Sequence, residues 1–169
     1  MKNFQTKLKL PVSGIIHTFN EEDNIEESLK TLIDWVSEII IIDMYSNDKT
    51  VEICKKYTDN IYFHHKVPCV DSARDFGLSK AKYKWTMVLD ADERAPFELV
   101  LKIKELIDKV DFTALFIPRY NYFFGHWSKI YYPDYQIRFF KSHMVSWSGR
   151  VHEHPRVFGK IIYLEYDFL

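Results

Sequence analysis

The chain has 169 residues, 47% of them hydrophobic, which is enough for one domain with a substantial core. Its 23 basic and 24 acidic residues nearly balance, so the bulk charge argues against a protein that attracts nucleic acid through a strong field. Cys54 and Cys69 lack the CxxC spacing of a zinc site and cannot form a disulfide framework, which favours a reducing cytoplasm.

Strand and helix alternate four times in the first two thirds of the chain. A β-rich run ends at Asn20, which can cap a helix whose apolar stripe extends from Ile25 to Val36. The longest aliphatic run, at 39–42, is far too short to span a bilayer, so we expect a soluble chain, attached to a membrane surface at most. The predicted units are strand 12–19 with helix 25–36, strand 38–43 with helix 50–57, strand 60–64 with helix 72–82, and strand 85–90 with helix 96–109.

This alternation predicts an α/β fold in which a mostly parallel sheet is flanked by helices. Ligands of such sheets bind at the carboxyl ends of strands, which here carry Thr18 to Asn20, Asp43, and Asp90 to Asp92. After Phe112 the chain becomes aromatic and strand-like, without clear helical stretches. We expect a single domain with a ligand-binding half at about 10–111 and a substrate-shaping half at about 112–169.

The stretch MVLDADER places Asp90, Asp92 and Glu93 where a buried strand emerges. Like charges this close repel each other, and a hard cation such as Mg²⁺ or Mn²⁺ would relieve the repulsion and bridge two phosphates of a ligand. Alternatively, the acids form a solvated loop or cap the helix that follows Pro96. The position at the end of a fourth buried strand favours the metal site.

Four segments in this order resemble the family 2 glycosyltransferases: VSGIIHTFNEEDNIEESLKTL, EIIIIDMYSNDKTVEI, ARDFGLSKAKYKWTMVLDADER and YPDYQIRFFKS with WSGRVHEH. The match extends over about 12–154, and within the family it is most similar to the bacterial enzymes that add a sugar to the lipopolysaccharide inner core. The resemblance implies a GT-A type fold, a nucleotide-sugar donor (a UDP-sugar by this likeness), a glycan or glycolipid acceptor, and inversion at the anomeric carbon. Together with the cysteine pattern, we expect a cytoplasmic protein, with peripheral contact at the cytoplasmic face of the inner membrane as a further expectation.

The same resemblance assigns roles to residues of the first half. Thr18, Asn20 and Glu22 fall in the loop on the uracil side, Asp43 at the carboxylate for base and ribose, and Arg74 at a basic position near the nucleotide. Asp90 and Asp92 fall on the metal motif. The family commonly has Asn after the arginine, whereas this chain has Asp75, which either weakens a phosphate contact or bonds the backbone. Met44 follows Asp43 where the family has a small or acidic residue, so an apolar contact to the base is expected there.

In the second half, inversion requires a carboxylate to take the proton of the acceptor hydroxyl. Asp134 and Glu153 are the candidates, and the resemblance favours Glu153; a surface strand with solvated His, Glu and His is the alternative. His152 is a candidate for the diphosphate or acceptor side, and His154 a candidate metal ligand. Arg138 lies between bulky apolar residues, so it pairs with an acid such as Asp134 or faces a diphosphate. Trp147 could stack on a sugar ring, but scattered aromatic residues are more often part of a core.

Two other functions remain open at this stage. A nucleotide-sugar-binding module without catalysis is conceivable because only PRVFGKIIYLEYDFL follows the His-Glu motif. A sugar nucleotidyltransferase is less favoured, because those enzymes open with a glycine-rich phosphate loop and the stretch 12–23 contains only Gly14.

Overall fold

The computed structural model describes residues 9–65, 71–130, 132–147 and 155–165, with the side chains of Asp71 and Ser72 left aside. Its helices are Ile25–Leu32 (α1), Thr50–Cys54 (α2), Asp71–Leu78 (α3) and Phe97–Lys109 (α4), and Ser142–Met144 forms a single 3₁₀ turn. Among these helices none has the length and apolar character needed to cross a membrane.

A seven-stranded sheet forms the centre of the fold and contains strands from both halves of the chain. Its members are Leu10–Thr18 (β1), Val36–Asp43 (β2), Ile61–Phe63 (β3), Trp85–Asp90 (β4), Ala114–Arg119 (β5), Asp134–Lys141 (β8) and Ile161–Tyr163 (β11). They lie in the order β11-β5-β8-β4-β1-β2-β3. Only β8 runs against its neighbours, because it pairs antiparallel with β4 and β5 while the other pairs are parallel. The predicted α/β fold with a mostly parallel sheet is confirmed.

Two pairs of short strands lie outside this sheet. Asn121–Phe123 (β6) and His126–Ser128 (β7) form an antiparallel hairpin between β5 and β8. Val145–Ser146 (β9) and Arg156–Val157 (β10) form the other pair.

The beginning of the first helix differs from the sequence prediction. α1 begins at Ile25, and Asn20 does not cap it. Asn20 instead adopts a left-handed conformation with φ 54°, which asparagine tolerates better than most residues, and its side chain accepts a hydrogen bond from the backbone of Asn47 at 2.9 Å. The acids after Asn20 therefore lie in a loop before the helix.

The end of this helix differs as well. Val36 had the spacing of a helical apolar stripe, but it is the first residue of β2 and pairs with Leu10. The helix stops because the chain turns tightly at Trp35, whose backbone N–H donates to the Leu32 carbonyl at 3.1 Å. Val36 is fully buried at the start of β2, and it would also be buried on the inner face of a longer α1. Hydrophobic periodicity alone therefore cannot distinguish the helix from the strand at this residue.

Apolar side chains cover both faces of the sheet. On one face, Leu29 of α1 and Leu99 and Ile103 of α4 pack against the strands; on the other, Ala73 of α3 packs near Ile15. Each fully buried aliphatic side chain of this kind contributes about 1.5–3 kcal/mol. The helices thereby hold the strands in a fixed register, which sets the positions of the polar residues at the strand ends.

That register brings the ends of three parallel strands together. Thr18 of β1 lies opposite Asp43 of β2, and His17 of β1 lies opposite Asp90 of β4. Since β5 runs in the same direction as β4, Arg119 reaches the same edge of the sheet. We refer to this edge as the carboxyl edge.

Candidate active site at the carboxyl edge

A buried carboxylate shapes the loop after β2. Asp43 accepts hydrogen bonds from the backbone N–H of Ser46 at 2.9 Å and from its hydroxyl at 2.6 Å, and the Ser46 hydroxyl accepts one from the Asn20 backbone at 2.9 Å. Beside it, the Thr18 hydroxyl is buried and has no hydrogen-bond partner among the described residues. The structure thus brings three of the residues predicted to bind a nucleotide to one place: Thr18, Asn20 and Asp43.

Glu22 connects the same two loops. Its carboxylate accepts a hydrogen bond from the backbone of Lys49 at 3.0 Å, and its own N–H donates to Asp48 at 3.1 Å. Asn20 makes the corresponding bond to Asn47. Both side chains therefore hold the loop after β2 against the loop after β1, which defines the walls of the edge at this end.

Asp90 is the first member of a chain of ion pairs across the carboxyl edge. Its carboxylate accepts hydrogen bonds from Arg74 at 3.0 Å and from Arg138 at 2.8 Å. Burial alone would raise the pKa of Asp90, but the charges of Arg138 and Arg74 outweigh burial and lower it to about 2. Asp90 is therefore ionised at neutral pH.

Glu93 is the buried centre of this chain of ion pairs. It accepts bonds from Arg138 at 2.8 and 2.7 Å, from Arg119 at 3.0 Å, and from the backbone N–H of Asp90 at 3.1 Å. The pKa of Arg138 is raised, since the charges of Glu93 and Asp90 outweigh its burial. The expectation that Arg138 pairs with an acid is confirmed, but its partners are Glu93 and Asp90 and not Asp134.

Asp134 is held by three other side chains. It accepts bonds from Arg119 at 3.1 and 2.7 Å, from Asn121 at 2.9 Å and from Gln136 at 2.7 Å. Partial burial would raise the pKa of Asp134, but the hydrogen bonds from Asn121, Arg119 and Gln136 lower it. The network thus alternates in charge from one end to the other: Arg74, Asp90, Arg138, Glu93, Arg119 and Asp134.

Arginine side chains, and not the predicted cation, neutralise two of the three acids in MVLDADER. Arginines from β5, β8 and α3 pair with Asp90 and Glu93 and relieve the repulsion between these two acids. Within the part of the chain that the structure describes, no three His, Cys, Asp or Glu side chains are grouped so as to hold a metal ion. The carboxylate that remains available for a cation is Asp92.

Asp92 lies in a tight turn that presents its side chain to solvent. The Glu93 N–H donates to the Asp90 carbonyl at 3.0 Å, which closes the turn at Asp90 to Glu93 around Ala91 and Asp92. Ala91 is buried, whereas Asp92 is exposed. Among the described residues no hydrogen bond or ion pair engages the Asp92 carboxylate, so its oxygens are accessible to a ligand.

His17 lies beneath the ion pairs as a neutral side chain. It is buried, and its Nε2 lies 3.1 Å from the Ala73 carbonyl, so this nitrogen carries the proton. Burial, with the nearby charge of Arg74, lowers the pKa of His17 to about 4. His17 therefore adds no charge to the site at neutral pH.

Asp75 bonds the backbone, which was one of the two alternatives predicted for this residue. Its carboxylate accepts a hydrogen bond from the Trp147 N–H at 3.1 Å. This bond places the Trp147 ring 5.8 Å from the guanidinium carbon of Arg74. Trp147 is buried and belongs to the core on the α3 face, so the structure does not present its ring for stacking on a sugar.

Three predicted residues of the second half, His152, Glu153 and His154, lie outside the described residues. Two residues of the network received no individual role from the sequence, Glu93 and Arg119. Arg119 follows the apolar run ALFIP, and a charged residue at the end of a buried strand is the signal that pointed to Asp90. The same criterion applied to Arg119 would have found it.

Comparison with known proteins agrees with this geometry. The family model described as Glycosyl transferase family 2 matches residues 13–158. The glycosyltransferase SunS of Bacillus subtilis is 28% identical over 147 residues, which cover 84% of this chain and 34% of SunS. The chain therefore spans about a third of the length of this relative.

Solved structures share the fold. TarS 1-349 of S. aureus superposes with a TM-score of 0.68 at 17% identity, covering 94% of this chain and 59% of that one. A TarS structure in complex with UDP-GlcNAc gives 0.58 at 22% identity, over 69% of this chain and 36% of TarS. Glucosyl-3-phosphoglycerate synthase from Mycobacterium tuberculosis, in complex with Mn²⁺ and UDP-glucose, gives 0.54 at 19% identity, over 64% and 43%.

Proposed function

Because the chain belongs to glycosyl transferase family 2, we propose that it binds a UDP-sugar at the carboxyl edge and transfers the sugar to an acceptor hydroxyl with inversion. The observation that carries the proposal is the convergence of Thr18, Asp43, Asp90 and Asp92 on one edge of a parallel sheet. Ligands of open α/β sheets bind at this edge. The structural relatives TarS and glucosyl-3-phosphoglycerate synthase are known in complex with UDP-sugars, which supports uracil as the base.

The base and ribose would lie against the loops after β1 and β2. Asp43 and Thr18 would face the nucleoside, and the buried Thr18 hydroxyl, without a partner among the described residues, would gain one there. Asn20 and Glu22 would act by holding the two loops together through Asn47 and Lys49.

Asp92 would hold a divalent cation, Mn²⁺ or Mg²⁺. Its carboxylate is exposed and chemically suited to a hard cation, so the residues present fit the metal. When bound, the cation supplies neutralisation of the charge that develops on the leaving diphosphate. Asp90 would contribute through an oxygen that also accepts from Arg74 or Arg138, and His154 is a further candidate ligand from the resemblance.

Arg74 and Arg138 would keep Asp90 ionised and fixed in orientation. Arg138 is 3% exposed and bonded to two carboxylates, so it would act on the donor through Asp90 and not by direct contact with the diphosphate. Arg74 also bonds Asp90, and the sequence resemblance makes it the candidate basic residue near the nucleotide.

Glu153 would be the general base. In a single displacement the acceptor oxygen bonds the anomeric carbon, the bond from that carbon to the diphosphate oxygen breaks, and the hydroxyl proton passes to a carboxylate. Asp134 is poorly suited, because Arg119, Asn121 and Gln136 occupy its oxygens and its pKa is lowered. The sequence resemblance favours Glu153 instead, with His152 as a candidate for the diphosphate or acceptor side.

The acceptor belongs to the same proposal. A cell-envelope glycan or the lipopolysaccharide core is the class suggested by the sequence resemblance, with the protein in the cytoplasm and in peripheral contact with the inner membrane. Such acceptors are carried on lipids, so a site that opens toward a membrane would suit them.

A thermal-shift and turnover screen tests the proposal. The chain is incubated with UDP-glucose, UDP-galactose, UDP-GlcNAc or GDP-mannose, with and without Mn²⁺, and the release of free nucleotide is followed. We expect one UDP-sugar to raise the Tm only with Mn²⁺, and to be hydrolysed slowly without acceptor. Stabilisation without any turnover would favour a nucleotide-sugar-binding module, and a requirement for a nucleoside triphosphate would favour a nucleotidyltransferase. No stabilisation by any of them would refute a donor site.

A further inference from the structure

The hairpin of β6 and β7 presents aromatic side chains to solvent on all sides of its tip. Tyr122 is 66% exposed, Phe123 is 55% exposed, and Phe124 is fully exposed. Tyr122 pairs across the hairpin with Trp127, and Phe123 pairs with His126, so Tyr122 and Phe123 point to opposite faces. Single exposed apolar residues are common, but three in sequence at one tip form a contiguous apolar surface.

The turn of the hairpin makes this exposure more costly. Phe124 and Gly125 are its two central residues, and both have positive φ, 50° and 77°. Such turns favour Asn or Asp followed by Gly, and a bulky aromatic residue in this conformation is strained. The chain thus carries a fully exposed aromatic ring at a position where stability would favour a small polar residue. A function outside the folded core accounts for both costs.

The base of the hairpin is rigidly attached to the candidate active site. Asn121 donates to Asp134 at 2.9 Å, and Arg119, two residues earlier, bonds both Asp134 and Glu93. Tyr120, Trp127 and Tyr132 pack together with ring centroids 4.9 to 5.7 Å apart, which stiffens the hairpin where it leaves the sheet. The tip therefore lies at a fixed position relative to the carboxyl edge.

The chemistry of the tip fits a lipid surface. From 120 to 133 the chain has no carboxylate, and its one formal charge is Lys129, whose ammonium lies 5.0 Å from the Trp127 ring centroid. Ile130, next to it, is 81% exposed. Tyr, Trp and Lys around an apolar tip are typical of residues at the boundary between headgroups and hydrocarbon. A cation without neighbouring carboxylates also suits anionic lipids.

We infer that this hairpin tip, Tyr122 to Phe124 with Ile130 and Lys129, inserts into the surface of an anionic lipid bilayer and sets the carboxyl edge beside it. A lipid bilayer can surround the tip and contact the exposed rings on both of its faces. A protein partner would cover only one face. A glycan site would need several polar side chains grouped among the rings, whereas Phe123, Phe124 and Ile130 offer none. The inference deepens the peripheral membrane contact of the proposed function, on which the placement of a lipid-borne acceptor rests, whereas the choice of the hairpin tip as the contacting surface rests on the hairpin alone.

Sedimentation with sucrose-loaded vesicles tests the inference. The full chain is mixed with vesicles of phosphatidylcholine and phosphatidylglycerol (3:1) and with vesicles of phosphatidylcholine alone. The test variant is Phe124→Asn, which suits the turn, and the matched control is Phe97→Asn, since Phe97 is 62% exposed at the start of α4. We expect Phe124→Asn to weaken partitioning roughly tenfold, in keeping with removal of one buried aromatic ring, while its Tm stays equal or rises. Phe97→Asn should partition as the unaltered chain does.

Lys129→Glu tests the charge. It should weaken binding to the vesicles that contain phosphatidylglycerol and leave the weaker binding to phosphatidylcholine unchanged. Absence of vesicle binding by the unaltered chain, or equal losses in Phe124→Asn and Phe97→Asn, would overturn the inference. So would a dimer, detected by light scattering, that Phe124→Asn dissociates, since the tip would then bind a second copy. Mn²⁺-dependent binding of UDP, measured on the same samples without lipid, reports separately on the donor site.

Discussion

Replacing Arg138 with Met should destabilise the fold strongly, because it removes the cation at the centre of the ion-pair network. Arg138 is 3% exposed and donates three hydrogen bonds of 2.7 to 2.8 Å to Glu93 and Asp90. Solvent screens such a pair little, and breaking a buried pair costs about 3–5 kcal/mol. Met retains most of the apolar stem, and Arg119 and Arg74 still contact the two carboxylates, so we expect a loss of about 3 kcal/mol.

Urea unfolding at pH 7 measures this loss, with Arg156→Met as the control. Arg156 is exposed on β10, and its substitution should change the free energy of unfolding by less than about 0.5 kcal/mol. In a double-mutant cycle, Glu93→Gln with Arg138→Met should cost clearly less than the sum of the single changes, because the neutral amide no longer needs a cation. Additive losses, or a loss below about 1 kcal/mol for Arg138→Met alone, would refute the coupling described here.

The pH dependence of the destabilisation by Arg138→Met tests its electrostatic origin independently. In the unaltered chain the pKa of Asp90 is lowered to about 2, so its contribution to stability is present above its ordinary pKa of 3.8 and lost as pH falls through 2. Without the charge of Arg138, the Asp90 carboxylate can bind a proton at higher pH. The destabilisation by Arg138→Met should therefore shrink between pH 7 and pH 4, and a constant or growing difference would contradict the electrostatic origin.

Three further predictions concern other parts of the site. The folded-state pKa of His17 is lowered from 6.5 to about 4, so the free energy of unfolding should fall by about 3 kcal/mol as pH drops from 7 to 4. His17→Gln keeps a donor for the Ala73 carbonyl and should make the free energy of unfolding, measured in urea, depend less on pH. An unchanged pH dependence in this variant would refute the role of His17. Gly77→Ala should cost about 1–3 kcal/mol, since a Cβ there would lie 3.1 Å from a methyl of Ile15; a neutral result in thermal melts would contradict the close packing of α3. Glu153→Gln should lower turnover of the donor at least about 100-fold at unchanged UDP affinity, and Asp134→Asn far less; the reverse order would make Asp134 the base.

The sequence predicted the sheet well where burial and periodicity agreed. The strand at 85–90 is observed as Trp85–Asp90 because its side chains are buried on both faces and an acid ends the run. Periodicity was misleading at Val36, which is buried equally well as the last residue of a helical stripe or the first residue of a strand. The tight turn at Trp35 ends the helix and makes Val36 part of the strand. A pattern of apolar residues does not predict this turn.

For the site, the sequence predicted which residues meet but not how their charges are balanced. The carboxyl ends of parallel strands necessarily lie at one edge, so Thr18, Asp43 and Asp90 could be placed together. The partners of Asp90 come from α3 and β8, sixteen and forty-eight residues away along the chain. No local spacing encodes such pairings, so the sequence alone predicts a cation, and not arginines, as the partner of the acids in MVLDADER.

The ion-pair network also connects the end of β4 to the base of the aromatic hairpin. Glu93 follows the predicted metal ligand Asp92, and Arg119 connects it to Asp134 and the base of the aromatic hairpin. The alternation of charges therefore connects residues of α3, β4, β5 and β8 along the carboxyl edge.

The most direct test of the central claim is the affinity for UDP with and without Mn²⁺, measured by calorimetry. The measurement compares the unaltered chain with Asp92→Asn and with a control variant, Asp108→Asn, in which an exposed acid of α4 is changed. A carboxylate that holds the cation predicts tighter UDP binding with Mn²⁺ in the unaltered chain and in Asp108→Asn, and equal, weak binding with and without Mn²⁺ in Asp92→Asn. The same enhancement by Mn²⁺ in Asp92→Asn as in the unaltered chain would contradict a metal-bridged nucleotide site at the end of β4.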